Sequence, residues 1–177
     1  MKFQRAISIG SLFLELIMSD KLISNVYEIR ELSSSFYTNY PEHLYPEILR
    51  KKGRPYDVIV FETNLDYYVC VPFRTYLNHN QGFHFYPKPL KNGENPGIDY
   101  SKMLIIKEND YIGPSSLINA TQMVCFNKNV STIQQEIFEY LEGYIKNVTG
   151  INILHPSQFN RKYQFSTLKY FHTELGI

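Results

Sequence analysis

Residues 24–32, Ser-Asn-Val-Tyr-Glu-Ile-Arg-Glu-Leu, alternate apolar and polar side chains. A period of two predicts a half-buried first strand. Ser33 to Ser35 supply capping hydroxyls for a short helix through Tyr40, which Pro41 ends. Pro46 suits the first turn of a second helix over 46–52, with Gly53 placed to stop it. Two β-branched and aromatic runs follow, 56–62 and 66–71, and Thr63-Asn64-Leu65 between them reads as a hairpin turn. Residues 83–86 form a further short strand closed by Pro87. Residues 87–98, with Pro87, Pro89, Gly93, Pro96 and Gly97, read as a long loop. The apolar runs 103–106 and 122–126 are the next strands. At Ser131 the period changes. Ser131-Thr132-Ile133-Gln134 has the form of a capping box, and Ile133, Ile137, Leu141, Tyr144, Ile145 and Val148 follow at helical spacing up to Gly150. A last helix is expected from Pro156 or Ser157 to Leu175, its apolar side carrying Phe159, Phe165, Leu168 and Phe171 or His172.

Strands joined by short connections, not alternating with helices, predict an α+β domain. Its centre is a compact, strongly curved antiparallel sheet or small barrel with flanking helices. A chain of 177 residues without internal repeats suits one such domain, residues 21–177. Residues 1–20 read as an N-terminal extension whose order the sequence does not set. Lys2 and Arg5 before an apolar run imitate a signal peptide, but Glu15 interrupts the run and no small-residue cleavage site follows. The run is also too short to span a bilayer, and Met18 is an alternative start. A cytoplasmic protein without membrane contact is expected.

Composition sharpens this in two ways. With 15 Tyr, 12 Phe and no Trp, the chain is rich in rings that bury area, and Tyr also keeps a hydroxyl for a polar partner or a base. The net charge of +1 excludes a globally basic nucleic-acid binder, so any RNA contact must be a local patch. Cys70 and Cys125 lie inside apolar runs and read as buried free thiols, not as a metal or disulfide framework.

The chemistry gathers around Val71-Pro72-Phe73-Arg74-Thr75-Tyr76-Leu77-Asn78-His79-Asn80, where an apolar strand runs into a loop of hydrogen-bonding side chains. Two polar stretches border other strands, Arg54-Pro55-Tyr56 and Asp99-Tyr100-Ser101-Lys102. Arg50, Lys51, Lys52 and Arg54 make a basic cluster. It reads either as cations complementing the end of the second helix or as a phosphate-binding patch. No serine-hydrolase elbow, phosphate-cradling glycine loop or zinc motif is present. Cations, hydroxyls and a His, with few acids, suit an anionic substrate and need neither cofactor nor metal. RNA is cut by such a set when a base takes the ribose 2′-hydroxyl proton, cations hold the phosphorane, and an acid protonates the departing 5′-oxygen. His79 has a suitable pKa range for proton transfer, and Arg74 and Lys102 are cations for the phosphate. Against this, a lone loop His is commonly a hydrogen-bonding residue, and Asp99 has the position of a turn or capping acceptor.

The ordered set Arg54-Pro55-Tyr56, Val71-Pro72-Phe73-Arg74-Thr75 with His79, and Gly97-Ile98-Asp99-Tyr100-Ser101-Lys102 resembles the endoribonuclease toxins of type III toxin–antitoxin systems. These are the ToxN/AbiQ-like toxins, and the nearest branch is the CptN/TenpN one. The stretch Phe165-Ser166-Thr167-Leu168-Lys169-Tyr170-Phe171-His172-Thr173-Glu174-Leu175-Gly176 is similar to the same branch, so the resemblance covers roughly 26–177. It implies a PemK/CcdB-like sheet and metal-independent RNA cleavage to a 2′,3′-cyclic phosphate. It also implies inhibition by a pseudoknotted antitoxin RNA that alternates with the protein in a closed ring. Arg74, Thr75, His79 and Lys102 are then the catalytic set. Arg50, Lys51, Lys52, Arg54, Tyr56, Asp99 and Ser101 are the RNA-binding set. In the ToxN branch the loop after this strand carries Thr-Ser-x-Lys. Here Thr75 matches the serine and Leu77 stands at the lysine, so Arg74, Lys102 or Arg54 must supply the phosphate-holding cation. The alternative from another class is a non-catalytic RNA-binding or protein-interaction domain on the same small barrel.

Overall fold

The computed structural model describes residues 23–51 and 56–177. The expected N-terminal extension and Lys52, Gly53, Arg54 and Pro55 lie outside the described residues. The chain is α+β, with a seven-stranded antiparallel sheet and a few helices. The strands are β1 (Ile23–Leu32), β2 (Asp57–Thr63), β3 (Tyr68–Arg74), β4 (Gly82–His84), β5 (Gly97–Asp99), β6 (Leu104–Ile106) and β7 (Ile112–Ser115). The order across the sheet is β4-β5-β3-β2-β1-β7, and β6 also pairs with β3. One edge of β3 is therefore shared. Tyr68 to Cys70 face β6, while Phe73 and Arg74 face Ile98 and Gly97 of β5. Between β5 and β6 the opposing chain leaves the ladder as a 3-10 turn, Tyr100–Lys102.

β2 and β3 are buried almost without alternation, from Val58 to Phe61 and from Val69 to Phe73. Such runs belong to strands covered on both faces. On one face Tyr27, Phe61 and Phe73 meet the long helix α2 (Ala120–Val148) through Phe126 and Phe138, in ring contacts of 5.1–6.4 Å. The short helix α1 (Ser34–Asn39) is capped by Ser33, as the sequence predicts, and buries Phe36 among Tyr37, Tyr40 and Tyr111.

Three expectations are corrected. Residues 46–51 form turns, not a helix, so the basic side chains there do not complement a helix end. The expected strand over 122–126 is the beginning of α2. Asn119 caps that helix by accepting from the Thr121 amide, which leaves Ser131-Gln134 inside it. A short apolar run fits a buried helix face as well as a strand, and Met123, Phe126, Val130 and Ile133 continue the helical stripe upstream. The last helix is broken into α3 (Pro156–Tyr163), a 3-10 turn (Thr167–Tyr170) and α4 (His172–Leu175). Ser166 caps the 3-10 turn by accepting from Leu168, and Phe165 is exposed, not core. β7 carries Gly113 and Pro114 and gives no strand signal. An edge strand accepts such residues. Cys70 is buried and Cys125 half-buried, both free thiols. Among the described residues no helix is long and apolar enough to cross a membrane.

Candidate active site

The register brings the polar set together. Arg74 is opposite Gly97, so Asp99, two residues on, is its diagonal neighbour on the same face. Asp99 is fully buried. Its Oδ1 accepts the Ser101 amide at 3.1 Å and the Ser101 hydroxyl at 2.6 Å, which fixes the 3-10 turn. Its Oδ2 faces Arg74 Nη1 at 3.8 Å and His79 Nε2 at 3.4 Å. No hydrogen bond reaches this oxygen, so its contact with the Arg74 guanidinium is one of charge. The His79 ring is anchored by its other nitrogen, since Nδ1 accepts the Gln81 amide at 3.2 Å. That assigns the proton to Nε2, on the Asp99 side. His84 Nε2 lies 3.0 Å from the His79 carbonyl, which accepts from it and holds the loop.

Lys102 ends the turn that Asp99 caps. Its ammonium donates to the Phe165 carbonyl at 2.8 Å. Burial lowers its pKa first of all; Asp99 works against that shift and Arg74 with it. The stretch at 165–167, expected as part of the last helix, is what holds this turn. Thr167 is buried and its hydroxyl donates to the Met103 carbonyl, with Ser101's carbonyl 3.4 Å away. From the other side Tyr100 donates to Glu136 of α2 at 2.7 Å. Burial and the Glu136 contact both push the Tyr100 pKa up.

Leu77 has a structural task in the loop. It is fully buried, and Cβ atoms built on Gly82 and Gly97 lie 3.0 and 2.7 Å from its Cδ2. The position is an apolar plug over two strand glycines, with no room for a hydrated ammonium. Thr75 lines a cleft of about 180 Å³ with Lys51, Asp57, Phe73, Asn119 and Arg74, so Arg74 borders both this cleft and Asp99.

The expected RNA contacts divide. Asp99 and Ser101 are buried, so they position neighbours and do not themselves touch RNA. The Arg50 guanidinium donates to the Tyr40 carbonyl and lies 5.0 Å from the Tyr37 ring, which makes it an internal brace. Lys51 sits 4.3 Å from the centre of the half-buried Tyr56 ring, at the mouth of the Thr75 cleft. Sequence reasoning missed Tyr100, Glu136, Phe165 and Thr167 as supports. Only the polar side chains within an apolar setting signalled any of them. No family model, curated protein or solved structure matches the chain.

Proposed function

We propose that this chain is a metal-independent endoribonuclease toxin of the type III toxin–antitoxin kind, on a PemK/CcdB-like curved sheet. It acts in the cytoplasm on messenger RNA and is held inactive by a pseudoknotted antitoxin RNA in a closed protein–RNA ring. The observation that carries this reading is the placing of Arg74 and His79 on the buried Asp99 carboxylate, with Lys102 ending the turn that Asp99 begins. Such an arrangement suits one phosphate held by two cations while a carboxylate orients the imidazole.

In the reaction the 2′-oxygen forms a bond to phosphorus and the bond to the 5′-oxygen breaks, leaving a 2′,3′-cyclic phosphate and a 5′-hydroxyl. His79 takes the 2′-hydroxyl proton at Nδ1 once the substrate displaces the Gln81 amide, a contact only two residues away in the chain. The imidazolium then has Asp99 Oδ2 within reach of Nε2. Arg74 and Lys102 hold the phosphorane charge. Burial makes the Lys102 ammonium more acidic, which suits it to protonate the 5′-oxygen. Thr75 and Lys51 hold an adjacent phosphate in the cleft that Arg74 borders.

One observation favours a second reading. Both His79 nitrogens have neighbours within the protein, as in a non-catalytic RNA-binding module. One experiment separates the two. Induced alone, the protein stops growth, and co-expressed antitoxin repeat RNA relieves it. Purified, it cuts RNA in a metal chelator but not a strand with hydrogen in place of the 2′-hydroxyl at the cut. His79→Ala loses about 10²–10⁴ in rate while remaining folded and RNA-bound. Unchanged cleavage by that variant removes His79 from the mechanism. RNA binding without any cleavage by the unmodified protein selects the binding module.

A further inference from the structure

The chain is rich in Tyr and Phe, yet among the described residues every such side chain is buried or half-buried except two. Tyr76 is 52% exposed and Phe165 is 63% exposed. They come from segments far apart in sequence, and each is tied through its backbone or its chain neighbours to a residue of the candidate site. Tyr76 lies between Thr75 and the buried Leu77, on the loop that joins Arg74 to His79. Its backbone is bridged to Asn95, and the next amide, of Leu77, donates to the Asn95 carbonyl at 2.9 Å. Phe165 has its carbonyl held by the Lys102 ammonium, and the two residues after it, Ser166 and Thr167, are fully buried. In each case the backbone is fixed and the ring is turned outward. Exposed apolar rings on fixed backbone are ready-made surfaces for nucleobases, which stack on any flat π-face.

We propose that Tyr76 and Phe165 are stacking platforms for bases that flank the phosphate held at the Asp99 cluster, so that the site takes unpaired RNA. This rests on the ribonuclease reading of the same site. Bases within a duplex stack on each other and are unavailable to a side chain, whereas an unpaired strand presents both faces. The aromatic pair would supply grip that the near-neutral net charge of +1 does not. It would also favour large purine faces next to the cut over any hydrogen-bonded sequence code.

The probe is a short single-stranded 2′-O-methyl oligonucleotide, which a 2′-hydroxyl mechanism does not cleave, carrying the fluorescent purine 2-aminopurine. An abasic oligomer of equal length and charge is the control. The unmodified protein should bind the first and quench its fluorescence. Tyr76→Ala and Phe165→Ala should each weaken that binding about 5- to 150-fold, and lose quenching, without weakening the abasic control. Tyr76→Phe and Phe165→Tyr, which keep the rings, should bind within about twofold of the unmodified protein. Neither alanine change removes the Phe165 carbonyl that Lys102 holds. No binding of the base-bearing strand, or equal weakening of both oligomers, overturns the pair. RNA cleavage with unchanged binding in both alanine variants sinks the platforms alone. Quenching that depends on the rings, without cleavage, keeps the platforms and sinks the nuclease.

Discussion

At Asp99 the two carboxylate oxygens have separate tasks: Oδ1 builds the turn through Ser101, and Oδ2 faces Arg74 and His79. Asp99→Asn separates them, because an amide oxygen still accepts from Ser101 while the charge disappears. The expected outcome is a folded protein destabilised by about 1.5–3 kcal/mol, the range for hydrogen bonds to charged groups. Its cleavage rate should fall by at least about 10²-fold, since the imidazolium loses its counter-charge. Denaturant melts and single-turnover cleavage check the two halves. An active Asp99→Asn protein would reduce Asp99 to a turn residue. Arg74, His79 and Lys102 are legible in the sequence because strand ends that break into cations and hydroxyls are visible locally. Their surroundings are less so: Arg74 both faces Asp99 and lines, with Thr75 and Lys51, a cleft that no local pattern announces. Thr167 was illegible as a support, since its partners are 64 and 66 residues away.

β3 fixes the site by being shared between β5 and β6, with the Asp99–Lys102 turn inserted where the two meet. The hairpin β2–β3 and the alternating β1 are plain in the sequence, because their patterns are local. β5 is not: Gly97, Ile98 and Asp99 look like the end of a proline-rich loop until β3 and β4 pair with them. The close approach of those strands needs Gly82 and Gly97, where an added Cβ would lie 2.2 and 2.3 Å from backbone oxygens. Leu77 fills what remains. A lysine at this position should therefore unfold the element instead of improving the site. Leu77→Lys is expected to lose several kcal/mol, because an unpaired ammonium would be desolvated there. Leu77→Met, close in volume, should lose less than about 1.5 kcal/mol. Urea melts of the two variants measure the difference, and a stable Leu77→Lys protein with raised activity would show that the plug is dispensable.

Across the whole molecule the tyrosines dominate the alkaline behaviour. Burial raises the pKa of Tyr40, Tyr67, Tyr100, Tyr140 and Tyr163, and takes Tyr144 to about 12. Above about pH 10 the unfolded chain releases these protons while the folded chain keeps them, so stability falls as pH rises. Each such tyrosine contributes about 1.4 kcal/mol per pH unit within that window. Lys102 has the opposite sign. Its lowered pKa means the unfolded state binds more protons below the ordinary Lys value, so its share of stability rises with pH up to there. Lys162 is lowered by burial in the same way, and Tyr37 and Tyr111 are raised like the other six tyrosines, so two lysines against eight tyrosines leave the slope negative. Melting temperatures between pH 8 and 11 should be level at first and then drop steeply; a flat profile would contradict the burial of these hydroxyls. The fold class was legible at this scale because length, aromatic content and strand spacing all point to one α+β domain. The start of α2 and the break after α3 were not, since packing on the sheet decides both.

The hydrogen bond from Lys102 to the Phe165 carbonyl closes a loop of 63 residues, whereas the β2–β3 hairpin closes one of a few. Loop closure grows costlier with length, and contacts remote in sequence form late. On a folding pathway the β2–β3 hairpin therefore has its hydrogen bonds before Lys102 has its partner. A chain that has only that hairpin carries Arg74 without the second cation in place. If this protein cuts RNA, its toxicity waits on a contact remote in sequence, and a copy with only its hairpin formed is harmless to the cell that makes it.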